Sequence, residues 1–166
     1  MYNISDNLSG DKNKMYEEIL EYAQMLMQDE KDYIANLANI SALLNQVIDN
    51  INWVGFYIAK GSQLVLGPFQ GKAACIRIDK GRGVCGSAFE SKQTQLVADV
   101  HSFPGHIACD SQSRSEIVIP IIHNNQVAAV LDIDSPILER FDDVDKEHLE
   151  KLCDIVSKGC EWENMK

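Results

Sequence analysis

Three of the five cysteines, Cys75, Cys85 and Cys109, lie among short runs rich in β-branched and aromatic residues, while Cys153 and Cys160 sit on the apolar stripe of a C-terminal helical pattern. A thiol reacts as its anion, which requires partial exposure and a cationic or amide-rich surrounding. Cys109 meets that requirement best. It lies in Pro104-Gly105-His106-Ile107-Ala108-Cys109-Asp110, within an irregular stretch from Asp99 to Ser115, with His106 and Arg114 near it along the chain. Cys153 and Cys160 read as small buried hydrophobes. The separations between Cys75, Cys85 and Cys109 match no common zinc pattern, which uses closely spaced pairs, so no metal is expected. An odd cysteine count without a leader segment points to thiols kept reduced between events, with any disulfide transient.

Carboxylates form the second group. In Val127-Ala128-Ala129-Val130-Leu131-Asp132-Ile133-Asp134, strand alternation puts Ala128, Val130, Asp132 and Asp134 on one face. Two acids on a partly covered face raise each other's pKa unless a cation is supplied, and a ligand ammonium would supply it. Glu116 opens the otherwise apolar run to Ile122. If Asn124-Asn125 forms a two-residue hairpin turn, His123 opposes Gln126, and Glu116 falls opposite Ile133, away from both aspartates. Convergence of the three acids therefore needs a register shift, which is expected here, with Pro120 as its cause because proline donates no ladder hydrogen bond. Trp53 and Tyr57 share a strand face with Gly55 between them and offer an aromatic wall.

One motif is a decoy. Gly81-Arg82-Gly83-Val84-Cys85-Gly86 fits a dinucleotide fingerprint, but the helix that follows is too short for a crossover and no further strand–helix alternation comes after it. A tight glycine turn leading into a short helix is expected instead.

The elements that must position these residues follow from periodicity. Apolar positions three and four apart predict helices over Met15 to Met27 and Ile34 to Ile48. Six strands are read at Trp53 to Ile58, Gln63 to Leu66, Ala74 to Ile78, Thr94 to Ala98, Glu116 to Ile122 and Val127 to Asp134. A short helix fits Val84 to Ser91 and a longer one Asp143 to Cys160, with Asp142 and Asp143 at its N-terminus. The class is α+β: a central six-stranded, mostly antiparallel sheet with the N- and C-terminal helices packed on one face. The length suits one domain, residues 1–166, comprising an N-terminal helical extension over 1–30 and a core over 31–160. A net charge of −10 disfavours nucleic acid and anionic membrane surfaces. The polar start and the lack of a membrane-length apolar stretch predict a cytoplasmic protein.

From about Ile51 to Phe141 the chain resembles the free methionine-(R)-sulfoxide reductases, a branch of the GAF-domain superfamily. The resemblance rests on Asn52-Trp53-Val54-Gly55-Phe56-Tyr57, Leu66-Gly67-Pro68-Phe69-Gln70-Gly71, the Gly81 to Gly86 turn, Asp99-Val100-His101, Gly105 to Asp110, Ser115-Glu116-Ile117-Val118 with Pro120, and Val130 to Ser135. It implies a single GAF domain and a thiol enzyme that reduces free methionine-(R)-sulfoxide without a cofactor and is recycled by thioredoxin. It implies Cys109 as nucleophile, Cys75 as its usual disulfide partner and Cys85 as a third redox cysteine, with the resolving role shared between Cys75 and Cys85 left open. Glu116, Asp132 and Asp134 correspond to the substrate acids, with Glu116 the candidate proton donor and Asp134 its alternate, and Trp53 and Tyr57 to the aromatic pocket. A homodimer is left open. The rival expectation is a non-catalytic GAF module that binds a regulatory ligand or senses redox state.

Overall fold

The computed structural model describes residues 9–106 and 110–164. Its six strands are β1 (Trp53–Lys60), β2 (Gln63–Gly71), β3 (Arg77–Asp79), β4 (Gln95–Val97), β5 (Ser115–His123) and β6 (Gln126–Ser135). They form one sheet in the order β3-β2-β1-β6-β5-β4, and every neighbouring pair is antiparallel. The helices are α1 (Lys12–Met27), α2 (Tyr33–Val47), α3 (Gly83–Ser91) and α4 (Asp143–Gly159). Aspartates start three of them: Asp11 accepts from the Lys14 amide, Asp32 from the Ala35 amide, and Asp142 forms a reciprocal capping box with Asp145.

Strand alternation divides the core in two. On one face, Val54, Phe56 and Ile58 of β1, Ile117, Ile119 and Ile121 of β5, and Leu131 and Ile133 of β6 pack with Ile19 of α1, Leu37, Ile40 and Leu44 of α2, and Leu149, Leu152 and Val156 of α4. The N- and C-terminal helices thus cover that face as the sequence predicts. On the other, Trp53, Tyr57, Val118 and Val130 meet Val84, Cys85, Ala88 and Phe89 of α3. Cys153 and Cys160 are buried on the α4 stripe. No helix among the described residues is long and apolar enough to cross a membrane.

Polar contacts hold α1 to α4. The wholly buried Asp145 accepts from the Tyr16 hydroxyl at 2.6 Å and the Lys12 ammonium at 2.7 Å, with the Arg140 guanidinium 3.6 Å away. The Tyr16 ring stacks on His148 at 5.1 Å.

Register decides which side chains meet. Asn124 and Asn125 both adopt positive φ, as a tight hairpin requires, and His123 pairs with Gln126. Between Ile121 and Ile122 the pairing slips by one residue, so that Ile122 opposes Val127 while Ile121 opposes Ala129. The surplus residue is Ala128 of β6, and beyond it Glu116 pairs with Asp134 instead of Ile133. The expected shift is therefore present, but Pro120 itself pairs regularly with Val130 and the bulge falls one residue later. The bulge also corrects the face expected for Ala128, which packs among the helices and not with Val130, Asp132 and Asp134.

Candidate functional site

The face opposite the terminal helices carries a cleft open to solvent at its mouth, with roughly 550 Å³ of empty space counting the open mouth. Antiparallel pairing builds its floor. Trp53, Asp134 and Glu116 lie in one cross-strand row over β1, β6 and β5; Gly55, Asp132 and Val118 form the next; Tyr57 and Val130 belong to the third. All three acids, both aromatics and Cys85 line the cleft, so the structure brings together six of the residues singled out from sequence. Trp53 stacks on Tyr57 at 5.9 Å and on Phe69 at 5.2 Å, which extends the expected aromatic wall by one ring from β2. Gly55 is what allows Phe69 so close: a β-carbon there would come within 2.3 Å of the Phe69 β-carbon.

Burial sets the charge state. Glu116 is 5% and Asp132 6% exposed. Desolvation, reinforced by Asp132 and Asp134, holds the Glu116 carboxyl well above its ordinary range. Desolvation raises Asp132 to about 6, opposed by hydrogen bonds with Cys85 and Glu116. Asp134 is raised by burial and by Asp132, and the Cys85 thiol is pushed up by burial and then by Asp132 and Glu116. Nε2 of His106 stands 3.8 Å from a Glu116 oxygen, but burial, with help from His101, lowers the His106 pKa. A raised acid facing a lowered imidazole is a contact between neutral groups. Lys72 and Arg82 also line the cleft, but no lysine or arginine among the described residues pairs with the three converging carboxyls, and Lys72 is held on Asp110.

Its rim is tied down from the aromatic wall. The Trp53 indole donates to the Lys72 carbonyl at 3.0 Å, and the Tyr57 hydroxyl donates to the Cys75 carbonyl at 3.1 Å. The Asn52 amide donates to Asp110 at 3.2 Å and to the Ser113 hydroxyl at 3.0 Å. Lys72 reaches the same Asp110 carboxylate at 3.2 Å and Gln112 at 2.8 Å. Segments 72–75 and 110–113 are thereby latched together. Sequence reasoning missed Asn52, Lys72 and Ser113, because partners 58 residues apart share no spacing signal; adjacency of Asp110 to Cys109 and of Asn52 to Trp53 was the only hint.

Cys75 is disulfide-bonded, whereas Cys85, Cys153 and Cys160 are free thiols. Cys109 lies outside the described residues. Of the two cationic groups expected to favour its anion, His106 lines the cleft, while Arg114 is exposed and is not among the lining residues.

The glycine fingerprint makes the expected turn. Gly81 and Gly83 adopt positive φ, and a β-carbon on Gly86 would meet the Asp79 carbonyl at 2.5 Å. It lies between β3 and β4, at opposite edges of an antiparallel sheet, so no parallel crossover exists for a dinucleotide. Its product is the start of α3, where Arg82 makes no side-chain cap and Gly83 and Val84 line the cleft. A helix start with no side-chain cap attracts anions. The cleft thus pairs a carboxylate-seeking end with a cation-seeking cluster beside an aromatic wall, the complement of a small zwitterion with an apolar tail.

This is the architecture of a GAF domain, and the GAF domain family model matches residues 37–159. The free methionine-R-sulfoxide reductase of Escherichia coli is 50% identical over 147 residues, 89% of each chain. The structure of fRMsr from Staphylococcus aureus in its reduced form superposes with a TM-score of 0.85 at 54% identity, covering 87% of this chain and 94% of that one. That of the free methionine-R-sulfoxide reductase from Neisseria meningitidis in complex with its substrate gives 0.88 at 44% identity, with 91% of both chains covered. The chain belongs to the GAF-domain family and, within it, to the free methionine-R-sulfoxide reductases.

Proposed function

We propose that this protein reduces free L-methionine (R)-S-oxide to methionine, and that Cys109 is the attacking sulfur. The observation that carries the reading is the convergence of Glu116, Asp132 and Asp134 beside Trp53 and Tyr57 in one cleft. The substrate ammonium supplies the positive charge that the acids lack, and the start of α3 receives its carboxylate. Trp53 packs the methyl end. Both main-chain charges are then engaged, which excludes a methionine embedded in a peptide.

The chemistry follows in balanced steps. The Cys109 thiolate attacks the sulfoxide sulfur as a neutral Glu116, with Asp134 as alternate, protonates the oxygen. The attack joins the Cys109 sulfur to the substrate sulfur while the S–O bond breaks and the oxygen, taking a second proton, leaves as water. Water then attacks the Cys109 sulfur and cleaves that S–S bond, so that methionine departs, the proton is returned and Cys109 is left as a sulfenic acid. A second thiol displaces the sulfenic oxygen as water and forms a disulfide, and an external dithiol, thioredoxin in this proposal, reduces the disulfide. Cys75 is favoured as the resolving thiol: it is disulfide-bonded while Cys85 is free, and the raised pKa of Cys85 disfavours its thiolate. Free thiols at Cys85, Cys153 and Cys160 fit a reducing cytoplasm. Every residue invoked comes from one chain, 1–166, so the reading needs no second copy.

The test is consumption of free methionine-(R)-sulfoxide by the reduced protein with thioredoxin, its reductase and NADPH, using the S epimer and a peptide-bound sulfoxide as controls. Selective turnover of the free R epimer is expected. Absence of turnover by folded, reduced protein would sink the reading and favour a ligand-binding module. Cys109→Ser should abolish turnover yet retain methionine binding.

A further inference from the structure

We propose that the cleft is also a binding site for a borderline-soft divalent cation of the Zn²⁺ type, held by Cys85 Sγ, Glu116 and Asp132 and completed by His106 Nε2.

The donors come from α3, β5 and β6, so no local spacing in the chain announces them. Tertiary structure brings the Cys85 sulfur, a Glu116 oxygen and an Asp132 oxygen within 4.8 Å of one another. Around zinc, with bonds of ~2.0–2.3 Å, neighbouring donors stand about 3.5 Å apart, so closure needs movements of about 1 Å, within the reach of side-chain rotation. His106, from the loop after Phe103, is not within 4.8 Å of all three donors; its Nε2 stands 3.8 Å from a Glu116 oxygen and would swing inward to complete the set. An independent feature points to a missing partner. Although the Asp132 carboxyl interacts with Cys85 and Glu116, its Oδ1 atom is fully buried with no hydrogen-bond partner among the described residues, in a residue that is 6% exposed. A buried acceptor left unpaired is costly, and a cation at the centre of the donors would satisfy it.

The donor set selects the metal. One thiol, one imidazole and two carboxylates, with the thiol and both carboxylates buried, suit Zn²⁺ or Co²⁺, whereas Mg²⁺ and Ca²⁺ require several oxygens or retained waters. Binding displaces the proton of Cys85 and those of the carboxyls, so it strengthens with rising pH. The cation takes the place assigned above to the substrate ammonium; in this last respect the inference rests on the proposed function.

Cobalt gives a readout that needs no turnover. In the disulfide form Cys85, Cys153 and Cys160 are free, and of these only Cys85 lines the cleft. Co²⁺ titrated into that form should bind at one equivalent with a sulfur-to-cobalt charge-transfer band, and Zn²⁺ should displace it while Mg²⁺ does not. Cys85→Ser should remove the band. Asp132→Asn should keep the band and weaken binding roughly tenfold or more. Saturating free methionine should weaken cobalt binding. Cobalt uptake without the band, a band that survives in Cys85→Ser, or unchanged affinity in a folded Asp132→Asn protein would overturn the site. Methionine binding to the metal-free protein, measured alongside, separates a failed cation site from a failed substrate assignment: if methionine binds but does not compete, the shared position is wrong.

Discussion

Replacing Asp132 by Asn removes a carboxylate that the folded cleft holds against its solvation preference, and the variant should be more stable than the parent at alkaline pH. Asp132 titrates at about 6 in the cleft against 3.8 for an unhindered carboxyl. Well below pH 3.8 the acid is protonated in both folded and unfolded chains and there is no penalty. As pH rises from there, the unfolded chain ionises while the cleft does not, and the parent loses stability until the folded group also ionises near pH 6. The difference between the two values corresponds to about 3 kcal/mol, complete above pH 6. Asn keeps the shape and an acceptor oxygen but carries no charge. Urea unfolding of the two proteins, in the same disulfide state, should show a gap that is smallest near about pH 3 and widens by up to about 3 kcal/mol at pH 8. In a chain of this size that corresponds to roughly 6 to 12 °C in Tm. The same variant should lose most of its affinity for the substrate ammonium, a more stable protein with a poorer site. A gap that stays constant with pH, or narrows as pH rises, would refute the argument that burial of this carboxyl destabilises the empty cleft.

Tyr57→Phe deletes the hydroxyl that holds the Cys75 carbonyl at 3.1 Å, and should slow disulfide formation while sparing substrate binding; dimedone trapping should then find more sulfenic acid than in the parent, and an unchanged yield would count against the positioning role. Asp145→Ala strands the Tyr16 hydroxyl and the Lys12 ammonium and undoes the α4 capping box, at an expected cost of about 3 kcal/mol in chemical denaturation with turnover per folded molecule retained. Gly55→Ala drives a methyl against both Cα and Cβ of Phe69 in a paired strand, and should cost ~1–3 kcal/mol and weaken methionine binding as the Trp53–Phe69 stack opens; a variant with parental Tm and affinity would show that the two strands part freely.

Period and residue type located the elements, although β2 runs on to Gly71 where the pattern stops at Leu66, and β3 covers Arg77–Asp79 where the pattern reads Ala74 to Ile78. Met15, Ile19 and Ala23 spell α1, the alternation through Trp53, Gly55 and Tyr57 spells β1, and the Asn124-Asn125 pair spells a tight hairpin, because these signals are local to a few residues. The family pattern named every one of the six residues that line the cleft from that list, but a name at a position says nothing of charge state or register. The slip at Ala128 decided both: it aligned Glu116 with Asp134, where regular pairing would have turned Glu116 to the helical face. The sequence placed the shift at Pro120, one residue short of where it falls, because Pro120 itself pairs regularly with Val130. Likewise the Asn52, Lys72 and Asp110 latch exists only once distant segments meet.

What the sequence by itself determined, then, is which residues are available and which elements carry them, since helical and strand periods and turn residues act over short stretches of chain. What only the tertiary structure decided is that three carboxyls and a thiol share one cleft. Their pKa values, their want of a cation and the closeness of their donor atoms depend on burial and on distances between segments far apart in the chain, quantities that no local pattern encodes.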